Sequence, residues 1–171
     1  MLIKRLFSIS LLFLFIFLSL SVYPEQRIEN FYLSNLKEDG TRDWEVNGDE
    51  AIISDDYVDI DKMRANYYLE EDTVLITSNE ARMNKENMDV FLKDDVHIEN
   101  EDGATLDTDS LNWQRRNNHI ETFDRVKTSK DTMQVTATGL SADTQLNNAA
   151  FGEDVEVTFA DEKTGDVTVA V

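Results

Sequence analysis

Four hexapeptides restrict what this chain can fold into: VNGDEA (46–51), ITSNEA (76–81), LDTDSL (106–111) and VTATGL (135–140). Their first residues lie 30, 30 and 29 positions apart, and each reads apolar, polar, small, polar, polar, apolar. Positions outside the hexapeptides keep the same spacing. Val96, Val126 and Val155 recur at 30 and 29, as do Val90, Ile120 and Ala149. A period of this length means one supersecondary unit used several times over, each with an apolar row that only its neighbours can cover.

Inside the units the apolar residues alternate with period two, as in Val58/Ile60, Val74/Ile76, Val90/Leu92, Val96/Ile98 and Val155/Val157/Phe159. That is strand patterning, and no segment after Pro24 sustains a helical period. Glycine turns punctuate it at KEDG (37–40), NEDG (100–103) and KTGD (163–166). With Pro24 as the one proline, the remaining turns fall to Gly, Asn and Asp. The expectation is an all-β domain of stacked short antiparallel strands, two to four per unit. An ordinary sandwich with regular strand lengths fits the same spacing.

The first 22 residues are of another kind. Lys4 and Arg5 precede an uncharged run from Leu6 to Val22, which is 17 residues long. As a helix it would reach roughly 25 Å at ~1.5 Å per residue, near the lower limit for crossing a bilayer. The leading positive charges orient the rest of the chain away from the cytoplasm. Two readings stay open: a retained single-span anchor, and a signal peptide cut after small residues such as Ser19 and Ser21. Residues 23–30 then read as a linker, 31–160 as the β domain, and 161–171 as a tail or edge strand.

Charge and composition exclude several functions. The formal charge of −19 lacks the basic footprint that phosphate backbones require, so nucleic acid is not an expected partner. There is no cysteine, hence no disulfide, thiol nucleophile or thiolate metal site. Asp59 and Asp61 face one side of a strand, but the calcium-loop pattern is absent and a solvated strand face explains them better. Carboxylate pairs suited to glycoside hydrolysis arise by chance among 35 acidic residues. His97 and His119 have no nucleophile or acid in attendance, and no phosphate loop, G-x-S-x-G or H-E-x-x-H motif occurs. Neither an enzyme nor a cofactor is expected.

Aromatic residues recur along the strands, among them Trp44, Tyr67, Trp113, Phe123 and Phe151. They read either as core packing or as part of an interior shared with lipid. The hexapeptide leads Val46, Ile76, Leu106 and Val135 should point inward, with Leu111, Trp113, Ile120 and Val126. The last strong strand, VEVTF (155–159), has no proline to block pairing, which marks Val155, Val157 and Phe159 as an edge where another chain can add a strand. The sequence that follows either folds back over that edge or stays loose.

These residues resemble a known family. IENFYLSNLKEDGTRDWEVNGDEA (28–51) is similar to the start of the periplasmic domain of the LptC family, through Asn30, Phe31, Leu33, Asp39, Gly40, Trp44, Gly48 and Ala51. LDTDSLNWQRRNNHIETFDRV (106–126) resembles the family's T-D-x-L-x-W … I-x-T-x-x-x-V segment, through Thr108, Asp109, Leu111, Trp113, Ile120, Thr122 and Val126. VTATGLSAD (135–143) resembles its later G-L-x-A-D element. Where the family often carries Gly-Asn-Val or Pro-Val, this chain has Asp94-Asp95-Val96 and Arg125-Val126.

The resemblance implies an open, twisted β-jellyroll behind one transmembrane helix, held at the inner membrane with the β domain in the periplasm. It implies lipopolysaccharide as cargo, the LptF and LptG subunits of an ABC transporter as donors, and an LptA-like bridge protein as acceptor. The inward rows would then carry acyl chains, each buried CH₂ being worth ~0.8 kcal/mol. The rival is a periodic β scaffold of the envelope whose interior is filled by its own side chains.

Overall fold

A computed structural model describes residues 26–70, 72–160 and 167–170. Ten strands run in chain order: β1 (Gln26–Leu36), β2 (Arg42–Ile53), β3 (Tyr57–Tyr68), β4 (Thr73–Asn84), β5 (Val90–Asn100), β6 (Thr105–Gln114), β7 (His119–Lys130), β8 (Met133–Asp143), β9 (Ala149–Phe159) and β10 (Val167–Ala170). They form one sheet in the order β1 to β10, every neighbouring pair antiparallel. The sheet does not close on itself, so the fold is all-β, open and jellyroll-like. Gln26–Asn30 already belong to β1, so the linker expected over 23–30 is shorter than its sequence suggested. The Leu6–Val22 run and the KTGD turn lie outside the described residues.

The repeat unit is two strands, within the expected two to four, but they are long rather than short. β4–β5, β6–β7 and β8–β9 are successive copies, each strand 10–12 residues long. Short strands were expected because the alternation breaks in mid-strand, and the break has a structural cause. Ladder register shifts between Thr77 and Glu80, Lys93 and Val96, Thr108 and Asn112, Thr122 and Arg125, and Thr136 and Thr138. Neighbouring positions take left-handed backbone, at Asn30, Lys62, Asp94, Asp95, Gly139 and Asp154. These irregularities line up across the sheet, and each is a bulge that bends its strand. The sheet is therefore folded along one corner into two facing halves.

The corner explains the hexapeptide. In a regular strand, residues five apart face opposite sides. Here Val46 and Ala51, Ile76 and Ala81, Leu106 and Leu111, and Val135 and Leu140 are all buried. An extra residue at each bend resets the alternation, so both ends of the hexapeptide face inward. Its small third residue, Gly48, Ser78, Thr108 or Ala137, sits inside the bend. The Ser78 hydroxyl donates to Glu80 O (2.9 Å) and that of Thr108 to Arg125 O (3.1 Å), taking up carbonyls at the interrupted ladder.

The period is also visible at the turns, which stack along each rim. Asp56 O accepts from Lys85 N (2.9 Å), Glu86 O from Arg116 Nη2 (3.0 Å), and Asp72 Oδ1 from Glu101 N (3.1 Å). The KEDG and NEDG turns are built alike. Gly40 N donates to Lys37 O and Gly103 N to Asn100 O, with φ of 85° and 79° that glycine adopts without strain.

Candidate functional site

The inner faces of the two halves make one apolar cluster, from Phe31 on β1 to Ala142 on β8. All eight residues expected to point inward do so. Val46, Ile76, Leu106, Leu111, Trp113, Ile120, Val126 and Val135 are buried, three of them with no accessible surface at all. In the middle of the fold the row is packed against itself.

At its two ends the same row is uncovered. Directly opposed residues share a face of the sheet. Ile28 lies opposite Ala51 and Leu33 opposite Val46, so both belong to the inner face, yet they are 40% and 38% exposed. At the other end Met133 and Phe159 lie opposite each other on the inner side and are 41% and 44% exposed. The apolar interior runs through the sheet and surfaces at both ends, where a self-contained stack of repeats would carry polar caps.

Opposite the corner, the rims of the two halves meet. Four contacts join segments that are not neighbours in the sheet. The Arg115 guanidinium, in a single 3₁₀ turn at 115–117 after β6, donates to Asp43 Oδ2 at the start of β2 (3.2 Å) and lies 5.5 Å from the Trp44 ring centroid. The Tyr67 ring meets Trp113 edge-on at 5.6 Å. Asn100 donates through Nδ2 to Gln145 O (2.8 Å). The indole N–H groups of Trp44 and Trp113 and Arg115 Nε are buried without an acceptor among the described residues. Burial pushes the Tyr67 phenol upward, with the Asp43 carboxylate adding to the shift and Arg115 opposing it.

The outer face is charged and cross-linked from strand to strand. Arg82 Nε donates to Asp59 Oδ1 at 2.6 Å and Arg27 Nη1 to Glu50 Oε2 at 2.9 Å. Asp59 is thus engaged by a guanidinium. His97 faces outward and pairs with Asp107 through Nδ1 at 2.7 Å. His119 is the first residue of β7.

Glu45 is the best-partnered of the outer carboxylates. Its oxygens accept from Tyr68 OH (2.7 Å), Asn66 Nδ2 (2.9 Å), Tyr32 OH (3.2 Å) and Arg42 Nη1 (3.2 Å), tying β1, β2 and β3 together. The Tyr68 and Asn66 hydrogen bonds lower its pKa from the ordinary 4.5, against a smaller opposing effect of burial. Because the folded-state value is depressed, the carboxylate's stabilisation is complete above the unfolded value and is lost as pH falls through the folded one. Glu45→Gln should therefore lower stability at pH 7, and its gap from the wild type should close below pH 4.5 in urea titrations. A gap that stays constant down to pH 3 would assign the loss to packing instead.

The expected docking edge needs correction. β10 pairs with β9, setting Val167 opposite Phe159 and Val169 opposite Val157. Val157 and Phe159 also pair with Val135 and Met133 of β8, so their strand segment is internal. The sequence of β10 folds back over the edge at Glu156–Phe159, and among the described residues nothing pairs with that edge of β9 from Ala149 to Val155. The side chain of Phe159 marks the open end of the interior, while the backbone edge there is taken. Sequence reading missed the rim residues Asp43 and Arg115, which carry no local pattern of their own, and it named Tyr67 only as a strand aromatic and Asn100 only as part of a glycine turn.

No curated protein matches the chain. The family model "LptC: Lipopolysaccharide-assembly, LptC-related" matches residues 20–160, which takes in the corner, both inner rows and the rim contacts. The chain belongs to the LptC-related family of lipopolysaccharide-assembly proteins, and its role lies in lipopolysaccharide transport.

Proposed function

We propose that the chain is a membrane-anchored periplasmic carrier. It receives lipopolysaccharide from the LptF and LptG subunits of an ABC transporter and passes it to an LptA-like jellyroll, without chemistry of its own. The observation that carries this reading is the interior that surfaces as apolar side chains at both ends, Ile28 and Leu33 at β1, Met133 and Phe159 at the other. A like unit set against either end would cover those residues and continue the groove. Transfer between two such grooves changes little in the apolar area exposed to water, so each hand-over is nearly isoenergetic. The Leu6–Val22 run supplies the anchor at the inner membrane, which keeps the carrier beside its donor.

A second reading, a scaffold with a filled interior, is favoured by the complete burial of Ile76, Leu92, Ile98 and Leu106. Photo-crosslinking in the membrane fraction of cells that make lipopolysaccharide separates the two. A photoreactive residue at Leu33, Ile120 or Phe159 should capture lipopolysaccharide, and one at His97 should not. Equal capture at all four positions, or none at the inner three, would overturn the carrier.

A further inference from the structure

We infer that the rim contacts form a latch that governs entry of acyl chains, with Arg115 as its pin. This rests on the carrier reading, since a latch matters only if something enters. The inner row is fully buried at mid-sheet, so chains cannot lie against Ile76 or Leu106 while the halves are in contact. The corner is fixed by continuous backbone. The opposite rim is held, among the described residues, by contacts that each involve a side chain: Arg115 to Asp43, Arg115 over Trp44, Tyr67 on Trp113, and Asn100 to the Gln145 carbonyl. Parting the rim breaks no strand ladder.

The closed rim is also poised. Arg115 Nε and the indole N–H groups of Trp44 and Trp113 gain no acceptor among the described residues on closing. Buried donors left unpaired subtract from the closed state, and opening returns them to water or to polar groups of an entering lipid. The Arg115–Asp43 pair is partly exposed and of ordinary length, so its contribution is modest. These are the properties of a contact that holds the trough shut at rest and yields to a ligand with a large apolar area to bury.

The molecule carries its own reporter. Trp44 and Trp113 are the chain's two tryptophans, and both sit in the latch. Arg115→Ala should raise the open population about tenfold. That would appear as increased acrylamide quenching and faster uptake of purified lipopolysaccharide by the full-length protein in detergent. Arg115→Lys keeps the charge but loses the planar stacking, and serves if the alanine variant loses its far-UV circular dichroism; it should shift both readouts in the same direction. The chain has no cysteine, so an Asp43→Cys/Arg115→Cys pair can be bridged by a short reversible bis-thiosulfonate. The bridged form should take up lipopolysaccharide slowly until reduced.

Unchanged quenching in both arginine variants, or uptake by the bridged form as fast as by the reduced one, would overturn the latch. Altered quenching with no uptake by any form, wild type included, would support the latch as a moving contact and count against the carrier itself.

Discussion

Leu106→Ala lowers the unfolding free energy by about 2–5 kcal/mol, read as a shift of the urea midpoint at unchanged slope. Leu106 has no accessible surface and lies between Ile98 on β5 and Thr128 on β7, in the most closely covered part of the inner row. Removing its branched end takes away buried methyl groups and leaves a cavity that flanking ladders cannot collapse to fill. A domain of this size is stable by ~5–15 kcal/mol, so the loss is a large share of the total. Phe123→Ala is the control, because that ring is 77% exposed at the outside of the corner and should change stability by under ~0.5 kcal/mol. A loss below about 1 kcal/mol at Leu106 would mean that the interior is slack even with no lipid in it.

The same residues show what a sequence can and cannot declare here. The thirty-residue period and the inward direction of the apolar leads were legible because each unit repeats one solution to one local problem. The length of the strands was not. Val90/Leu92 and Val96/Ile98 read as two strands, yet both lie on β5, because the Asp94–Asp95 bulge interrupts the alternation without ending the strand. That pair takes the left-handed backbone, so the bend is made there without a glycine.

The hexapeptide held the corner all along, in the odd spacing of its two apolar ends. An odd spacing with both residues inside requires one extra residue between them. The rim contacts were illegible for the opposite reason. Arg115 and Asp43 are 72 positions apart, belong to strands that never pair, and meet only after the sheet has folded. The covering of β9 by β10 was one of two open readings, and alternation alone did not choose between a returning strand and a loose tail.

Because the bend is what brings the two inner rows together, the strongest effect outside the core should come from a single methyl group at the corner. A Cβ on Gly48 would lie 2.7 Å from Asp61 O, a backbone atom of β3, and would also overlap the Ile60 side chain. Gly152 has the same constraint on β9, where a Cβ would overlap Thr138 O and sit 3.5 Å from the Gly139 Cα. Neither site offers a flexible neighbour that can swing away without moving the ladder. Gly48→Ala and Gly152→Ala should each cost about 1–3 kcal/mol in urea titrations, as overpacking does in a closed interior. Gly103→Ala is the informative comparison. Its Cβ would meet nothing within 4 Å, so only the left-handed backbone at φ 79° opposes it, at roughly 1 kcal/mol. If the two corner substitutions cost less than the turn substitution, the close approach of β2 to β3 and of β8 to β9 does not set the bend. The facing of the two halves would then depend on the rim contacts and the inner rows alone.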